Sequence, residues 1–419
     1  MLLKRKFSQL SSNKDVKVLA QNFAYLTILQ IAGFILPLIT LPFLASVVGL
    51  EGFGRIGFAS AIIIWVQTIS DWGFSYTGTR DVSRNRDNIV ILSEIFSKVF
   101  WGRIMLMIIS AIILYILIIF FPVFRENQIV IWATFLMIPG NIMFSEYFFQ
   151  GLERMKYITF LNLLIKLLFT FCVFIFVNDE DDYILQPLFI SIGFVVAGFI
   201  AMYLIIIKWK IKLLFPSYTE IWSTLKNSTD VFINNIMPNL YNSLTTVLLG
   251  FYSSQLSVGI YTSGKKFIVV SNSLLSIISR VFFPYLVRKN EKHGLYKKLS
   301  IICSLILVFI LFVSAPLIVN LFYTNDFNES ISVIRITSFS LFFITLNNIY
   351  GTNYLLVHNH DRLLRNIMIV SSLIGFFISF PLIIYFDYIG ASLTYLLSSI
   401  LIGVLPMYYA NKISIASKI

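Results

Sequence analysis

The stretch EGFGRIGFASAIIIWVQTISDWGFSYTGTRDVSRNRDNIVILSEIFSK, Glu51 to Lys98, decides the reading of the whole chain. It opens on a Gly-rich turn (Gly49, Gly52, Gly54) and continues as an apolar span from Ile56 to about Tyr76. It leaves that span through Asp71 and Gly73 into a loop where Arg80, Asp81, Arg84, Arg86 and Asp87 crowd together. Lipid tolerates neither unpaired backbone nor such a density of charge, so this is the pattern of a membrane helix ending in a basic loop. The rest of the chain repeats it.

Composition agrees. Of 419 residues, 58% are hydrophobic and 12% charged, whereas a soluble domain has about a quarter of its residues charged. The expected class is an all-α polytopic membrane protein. The excess of 32 Lys and Arg over 20 Asp and Glu would suggest nucleic acid in a soluble chain. Here the basic residues sort by loop, which is a topology signal, and no nucleic-acid partner is expected. Cys172 and Cys303 both fall in apolar spans, so no disulfide framework is implied. The polar start (Lys4, Arg5, Lys6, Lys14, Lys17) leads into an apolar run too long for a signal-peptide core, so the first helix is expected to be its own signal.

At about 20 residues per crossing, twelve spans are expected. They run near 20–48, 55–77, 91–121, 127–149, 157–177, 184–207, 229–251, 258–287, 299–323, 330–356, 365–386 and 390–410. With the N-terminus inside, the basic loops alternate to one side: Arg154 and Lys156 in one, Lys208, Lys210 and Lys212 in another, Arg288, Lys289 and Lys292 in a third. The opposite loops hold Asp179, Glu180, Asp181 and Asp182. Both termini are therefore expected in the cytoplasm. The outer loops are short and leave no room for a catalytic domain. The longest connection, Lys208 to Ser228, interleaves Trp209 and Trp222 with lysines and reads as an amphipathic linker at headgroup level. It divides the chain into two six-helix bundles, 1–212 and 213–419, around a central cavity. The halves repeat weakly, GRIGFA at Gly54 to Ala59 resembling GIYTSG at Gly259 to Gly264. Two six-span copies share one orientation and are related by an axis along the membrane normal.

Several motifs carry a family resemblance. LPFLASVVGLEGFGRIGFASAI from Leu41, DWGFSYTGTRDVSRNRDN from Asp71, LSEIF at Leu92 to Phe96 and FFQGLERMKYIT at Phe148 to Thr159 resemble the polysaccharide biosynthesis or O-antigen flippases (Wzx type) of the multidrug/oligosaccharidyl-lipid/polysaccharide exporter superfamily. The motifs cover about the first 160 residues and the topology covers the rest. The resemblance implies a MATE-like fold and movement of an undecaprenyl-diphosphate-linked oligosaccharide across the bacterial inner membrane by alternating access. It also implies no enzymatic step, no cofactor beyond coupling to a proton or sodium gradient, and membrane lipids, a polysaccharide polymerase and a chain-length regulator as partners. The competing reading within the same fold is a cation-coupled drug or metabolite antiporter, which would want an acidic cavity.

The residues make a separate case. A charge near the bilayer centre costs several kcal/mol and usually faces a cavity or a partner. Lys266 and Arg280, with Ser273 between them, are spaced by sevens on one helix face. With Arg103, Lys166 and Arg335 they are the expected cationic cavity for an anionic passenger, and neutralising both is expected to block export. Lys265 fits less well beside Lys266. Asn235, Asn239, Asn242 and Thr246 recur around Pro238 as a stripe for sugar hydroxyls, with helix packing as the competing use. Pro238 bends that helix. Glu94 and Lys98 are expected to neutralise one another, and Asp71 and Arg80 to hold the helix end to its loop or to gate the inner mouth. His358 and His360 alone are too few for a metal site. There is no phosphate-cradling GxxxxGK[ST] sequence and no catalytic Ser/His/Asp or Cys/His set.

Overall fold

Each span expected from the sequence is helical in the computed structural model, which describes residues 14–288, 293–358 and 360–416. The side chains of 14–24, 26–28, 30, 31, 34, 35, 38, 280, 281, 283–285, 287, 288 and 414–416 lie outside the described set. The first two spans are one assignment, α1 (Lys14–Asp71), broken at Gly49, whose φ of 65° a side chain would oppose. The basic loop becomes α2 (Phe74–Arg84). Then comes α3 (Ile89–Phe120), capped by Asn88, whose side-chain oxygen accepts from the N–H groups of Val90 and Ile91.

After a short connecting helix, α4 (Pro122–Glu126), the next span is divided into α5 (Gln128–Phe135), α6 (Met137–Phe144) and α7 (Glu146–Gly151). Two helices complete this half, α8 (Met155–Phe176) and α9 (Leu185–Met202), the latter continued by a π turn at Tyr203–Lys208. The span expected at 229–251 is interrupted: α10 (Tyr218–Ile236), a 3-10 turn at Met237–Leu240, then α11 (Ser243–Tyr252). After it follow α12 (Gln255–Arg288), α13 (His293–Phe322), α14 (Ser330–Ser338) and α15 (Ser340–Leu346), with a π-helix at Asn347–Leu355. The last two spans are α16 (Asp361–Ala416), broken at Asp387.

Eight of the helices among the described residues are long and apolar enough to cross a membrane, and two of these, Ile39–Arg84 and Asp361–Ile413, join two expected spans. The pair outside this set, 229–251 and 258–287, carries the asparagines and Lys265 with Lys266. Packing follows the rule for lipid, with small polar groups inward and large apolar ones outward. On α13, Ser300 and Ser304 are buried while Leu305, Ile306, Phe309 and Val313 are exposed. These features define a multi-pass membrane protein.

The chain packs as two units, Met1–Phe43 with Val66–Asn178 and Ile184–Phe232, and Leu44–Trp65 with Asp179–Tyr183 and Ile233–Ile419. In the first, the two family-like phrases are packing partners. A Cβ on Gly78 would lie 2.7 Å from the Tyr147 ring, and one on Gly151 2.7 Å from Val82. The linker also belongs here, beyond the division expected at 212/213, because α3 holds it. Ser93 Oγ accepts from the Lys212 N–H (3.0 Å), Ser97 Oγ from the Leu214 N–H (2.8 Å), and Trp101 Nε1 donates to the Leu214 carbonyl (2.9 Å). Residues four apart on a helix share a face, so this ladder reads one extended strand.

Trp209 is half-buried. Arg154 lies 4.3 Å over its ring, and Phe149 and Tyr157 meet it edge-on. Trp222 is exposed, as an interfacial anchor should be. Ser217 and Glu220 form a reciprocal cap on α10: Ser217 N–H donates to Glu220 Oε2 (2.9 Å) and Glu220 N–H to Ser217 Oγ (3.4 Å).

The Ser217 N–H, with Lys98 and the Ser217 hydroxyl, holds the Glu220 carboxyl down at about 2, against the usual 4.5. A depressed acid stabilises the fold above its ordinary range and loses that contribution as pH falls. Amides at the start of α10 are therefore expected to lose hydrogen-exchange protection as pH drops from about 4.5 toward about 2. Glu220→Gln should remove that pH dependence.

In the second unit the sequence-matched phrases meet each other. A Cβ on Gly54 would lie 1.8 Å from the Gln255 carbonyl oxygen, and one on Gly259 2.3 Å from that of Leu50. Two backbones thus touch where only glycine allows it. The corner at Asp387 (φ 53°) is pinned by Ser253 Oγ and Ser257 Oγ, which donate to its two carboxylate oxygens at 2.5 and 2.7 Å.

Candidate functional site

Adjacent lysines on α12 have opposite fates, because successive helical residues point about 100° apart. Lys265 is 8% exposed; it donates to the Asn242 carbonyl (3.1 Å) and sits over the Tyr395 and Tyr261 rings at 4.6 and 5.0 Å. The interruption at 237–242 ends the hydrogen-bonding of the preceding helix, and Lys265 supplies a donor to a carbonyl there. Lys266 is exposed, its ammonium 4.5 Å over Phe53. The side chain of Arg280 lies outside the described residues, so the proposed pairing of Lys266 with Arg280 is not described. Arg335 donates from Nε to the Phe312 carbonyl (3.4 Å) and lies over that ring at 5.4 Å. Its charge is spent locally, against α13.

The first unit holds the other two cations. Arg103, 3% exposed, donates from Nη2 to Asn141 Oδ1 (2.7 Å) and lies 3.9 Å from Asp71, while its Nε has no partner among the described residues. Asp71 also accepts from the Ser75 hydroxyl (2.8 Å), so it both caps the turn into α2 and neutralises Arg103. A buried guanidinium with an idle donor is costly unless an acceptor completes it. Lys166 Nζ rests against Gly33, where an added Cβ would come within 2.7 Å. Lys98 binds Glu220 (3.0 Å) more closely than Glu94 (3.8 Å), so the expected Glu94 pair is half of a triad. Arg80 is exposed and pairs through Nε with Asp81 (3.0 Å).

The asparagine stripe is corrected. Pro238 starts a 3-10 turn at Met237–Leu240, so the four-residue spacing does not stay on one face. Asn239 and Thr246 are buried at 9% and 4%, Asn242 is exposed, and Asn235 lies in the preceding helix. Pro238 does end its helix rather than merely bend it. His358 Nδ1 pairs with the Tyr354 carbonyl (2.8 Å), and no group of metal-binding side chains occurs among the described residues.

Sequence signals could have found some of what was missed. Ser93, Ser97 and Trp101 are polar at four-residue spacing in an apolar span, a stripe overshadowed by the neighbouring Glu94 and Lys98.

Residues 19–290 match the family of polysaccharide biosynthesis proteins, and the chain belongs to that family. It is 29% identical over 407 residues to the "Putative O-antigen transporter" of Escherichia coli (strain K12), covering 95% of this chain and 98% of that one. A protein of the same name from Shigella dysenteriae is 22% identical, covering 91% and 97%. Among solved structures, an inward-facing MATE family transporter of the MOP superfamily matches with a TM-score of 0.70 at 13% identity, covering 95% of this chain and 99% of that one. The lipid II flippase MurJ matches with a TM-score of 0.66 at 14% identity, covering 92% and 87%. The fold is that of this transporter superfamily.

Proposed function

We propose that the chain is a flippase that carries an undecaprenyl-diphosphate-linked oligosaccharide across the bacterial inner membrane by alternating access, with both termini in the cytoplasm. The observation that carries this reading is its near end-to-end similarity to the Escherichia coli protein, joined to membership of the polysaccharide family. The protein moves a sugar lipid and makes none. The cations read from the sequence, Lys266, Arg280, Arg103 and Lys166, supply the positive charge for the diphosphate. A proton or sodium gradient energises the cycle, and polymerase and chain-length regulator act on the product outside.

Deletion of the gene should leave labelled lipid-linked oligosaccharide in the inner leaflet, and the intact gene should restore it to the outer leaflet. Lys266→Gln combined with Arg280→Gln is expected to abolish surface polysaccharide while the protein persists in the membrane. Lys265→Gln is expected instead to lower the amount of protein, since it removes the charge that holds Asn242. Normal surface polysaccharide in the double variant would defeat the reading of these cations.

A further inference from the structure

The first unit contains a cavity of about 250 Å³ among α2, α3 and α10. That is below the roughly 300 Å³ at which pockets for drug-sized ligands begin, so it admits one ring-sized group. Its polar lining comes from Thr77, Arg80 and Asp81 on α2, Lys98 on α3, and Thr224, Asn227 and Ser228 on α10. Gly78 also lines it, contributing no side chain.

Charge decides the class of occupant. Each cation in the lining already faces a carboxylate: Arg80 with Asp81 at 3.0 Å, and Lys98 with Glu220 at 3.0 Å and Glu94 at 3.8 Å. A phosphate entering here would meet those carboxylates at close range and with little net attraction. The uncommitted groups are hydrogen-bonding ones. The two Nη atoms of Arg80 and the amide of Asn227 have no partner among the described residues, and both side chains are exposed. The threonine hydroxyls are engaged, Thr77 with Ser228 Oγ (2.8 Å) and Thr224 with the Glu220 carbonyl (2.8 Å), so the planar amide and guanidinium groups are the ones that suit a neutral ring bearing several hydroxyls. Position agrees as well. Val99, in the lining, and Arg103 are four residues apart on one face of α3, about 6 Å along the axis. A sugar in the cavity therefore sits one helical turn from the cation with the idle donor.

We infer that this cavity is a docking site for a pyranose ring of the lipid-linked oligosaccharide, distinct from the cations that take its phosphates. The inference rests on the flippase reading and adds a carbohydrate subsite built by the DWGFSYTGTRD segment and the linker helix. It is tested on purified full-length protein with two ligands. One is the complete lipid-linked oligosaccharide extracted from the strain that carries the gene, and the other is undecaprenyl diphosphate without sugar. Asn227→Ala should weaken binding of the complete ligand about tenfold, the size of a lost hydrogen bond to a sugar, and leave the sugar-free lipid within about twofold. Arg80→Gln should act in the same direction, with thermal unfolding unchanged for both variants. Equal weakening for the two ligands would make the cavity a phosphate site and overturn the inference, as would unchanged binding of both. Wild-type protein that binds neither ligand overturns the flippase reading along with it.

Discussion

Gly54→Val is expected to prevent the folded protein from accumulating. The added Cβ falls 1.8 Å from the Gln255 carbonyl oxygen, 2.7 Å from its carbon and 3.0 Å from the Gly259 nitrogen. All three are backbone atoms, so no rotamer change relieves the contact. Overpacking in a closed interior costs about 1–3 kcal/mol where side chains can yield, and here the helices themselves must separate. Separation breaks the contact from both sides, because Gly259 faces the Leu50 carbonyl in the same way. Gly294→Ala is the control, since nothing lies within 4 Å of the added carbon, and it should change stability by no more than about 0.5 kcal/mol. Amounts of membrane-extracted protein in the main size-exclusion peak check both. Wild-type levels of Gly54→Val would mean that the two backbones do not touch.

Arg103→Leu is expected to be nearly as damaging, for an electrostatic reason. Leucine fills much of the space but leaves Asp71, 3.9 Å away, without its counter-charge. Removing one partner of a buried pair costs about 3–5 kcal/mol because the other stays behind. The partial exposure of Asp71, 23%, places this case at the lower end, about 3 kcal/mol. Asn141 also loses the donor at 2.7 Å. The diagnostic result is rescue: Arg103→Leu with Asp71→Asn should recover part of the lost thermal stability without recovering surface polysaccharide. If the double variant is no more stable than Arg103→Leu alone, the ion pair does not carry the effect. Arg103→Lys should fold yet transport poorly, since an ammonium lacks the guanidinium fork.

The twelve spans were legible because lipid enforces length and charge rules on every crossing, and the likeness between GRIGFA and GIYTSG was legible as a likeness only. What it could not say was that the two phrases touch, since likeness between segments carries no contact. The fates of Lys265 and Lys266 were likewise hidden. One step along a helix separates a buried donor from an exposed cation, and only the Asn242 carbonyl and the Tyr395 ring decide between them. The asparagine stripe failed because a helical period was carried through Pro238, where the helix stops. The contacts that hold the linker were hidden for a different reason. Its lysines and tryptophans drew the eye to the membrane surface, while the serines that hold it lie on another helix, more than 100 residues earlier.

The Gly54 contact also bears on how the chain is made. Gly259 follows Gly54 by 205 positions, and a ribosome adding about 5–20 residues per second needs roughly ten to forty seconds to reach it. Throughout that interval the newborn arm Leu44–Trp65 has no α12 to close against, so its notch must wait in lipid or in the hands of an insertion chaperone. Assembly of the second unit is therefore a late event, governed by the order of synthesis more than by the affinity of the two backbones.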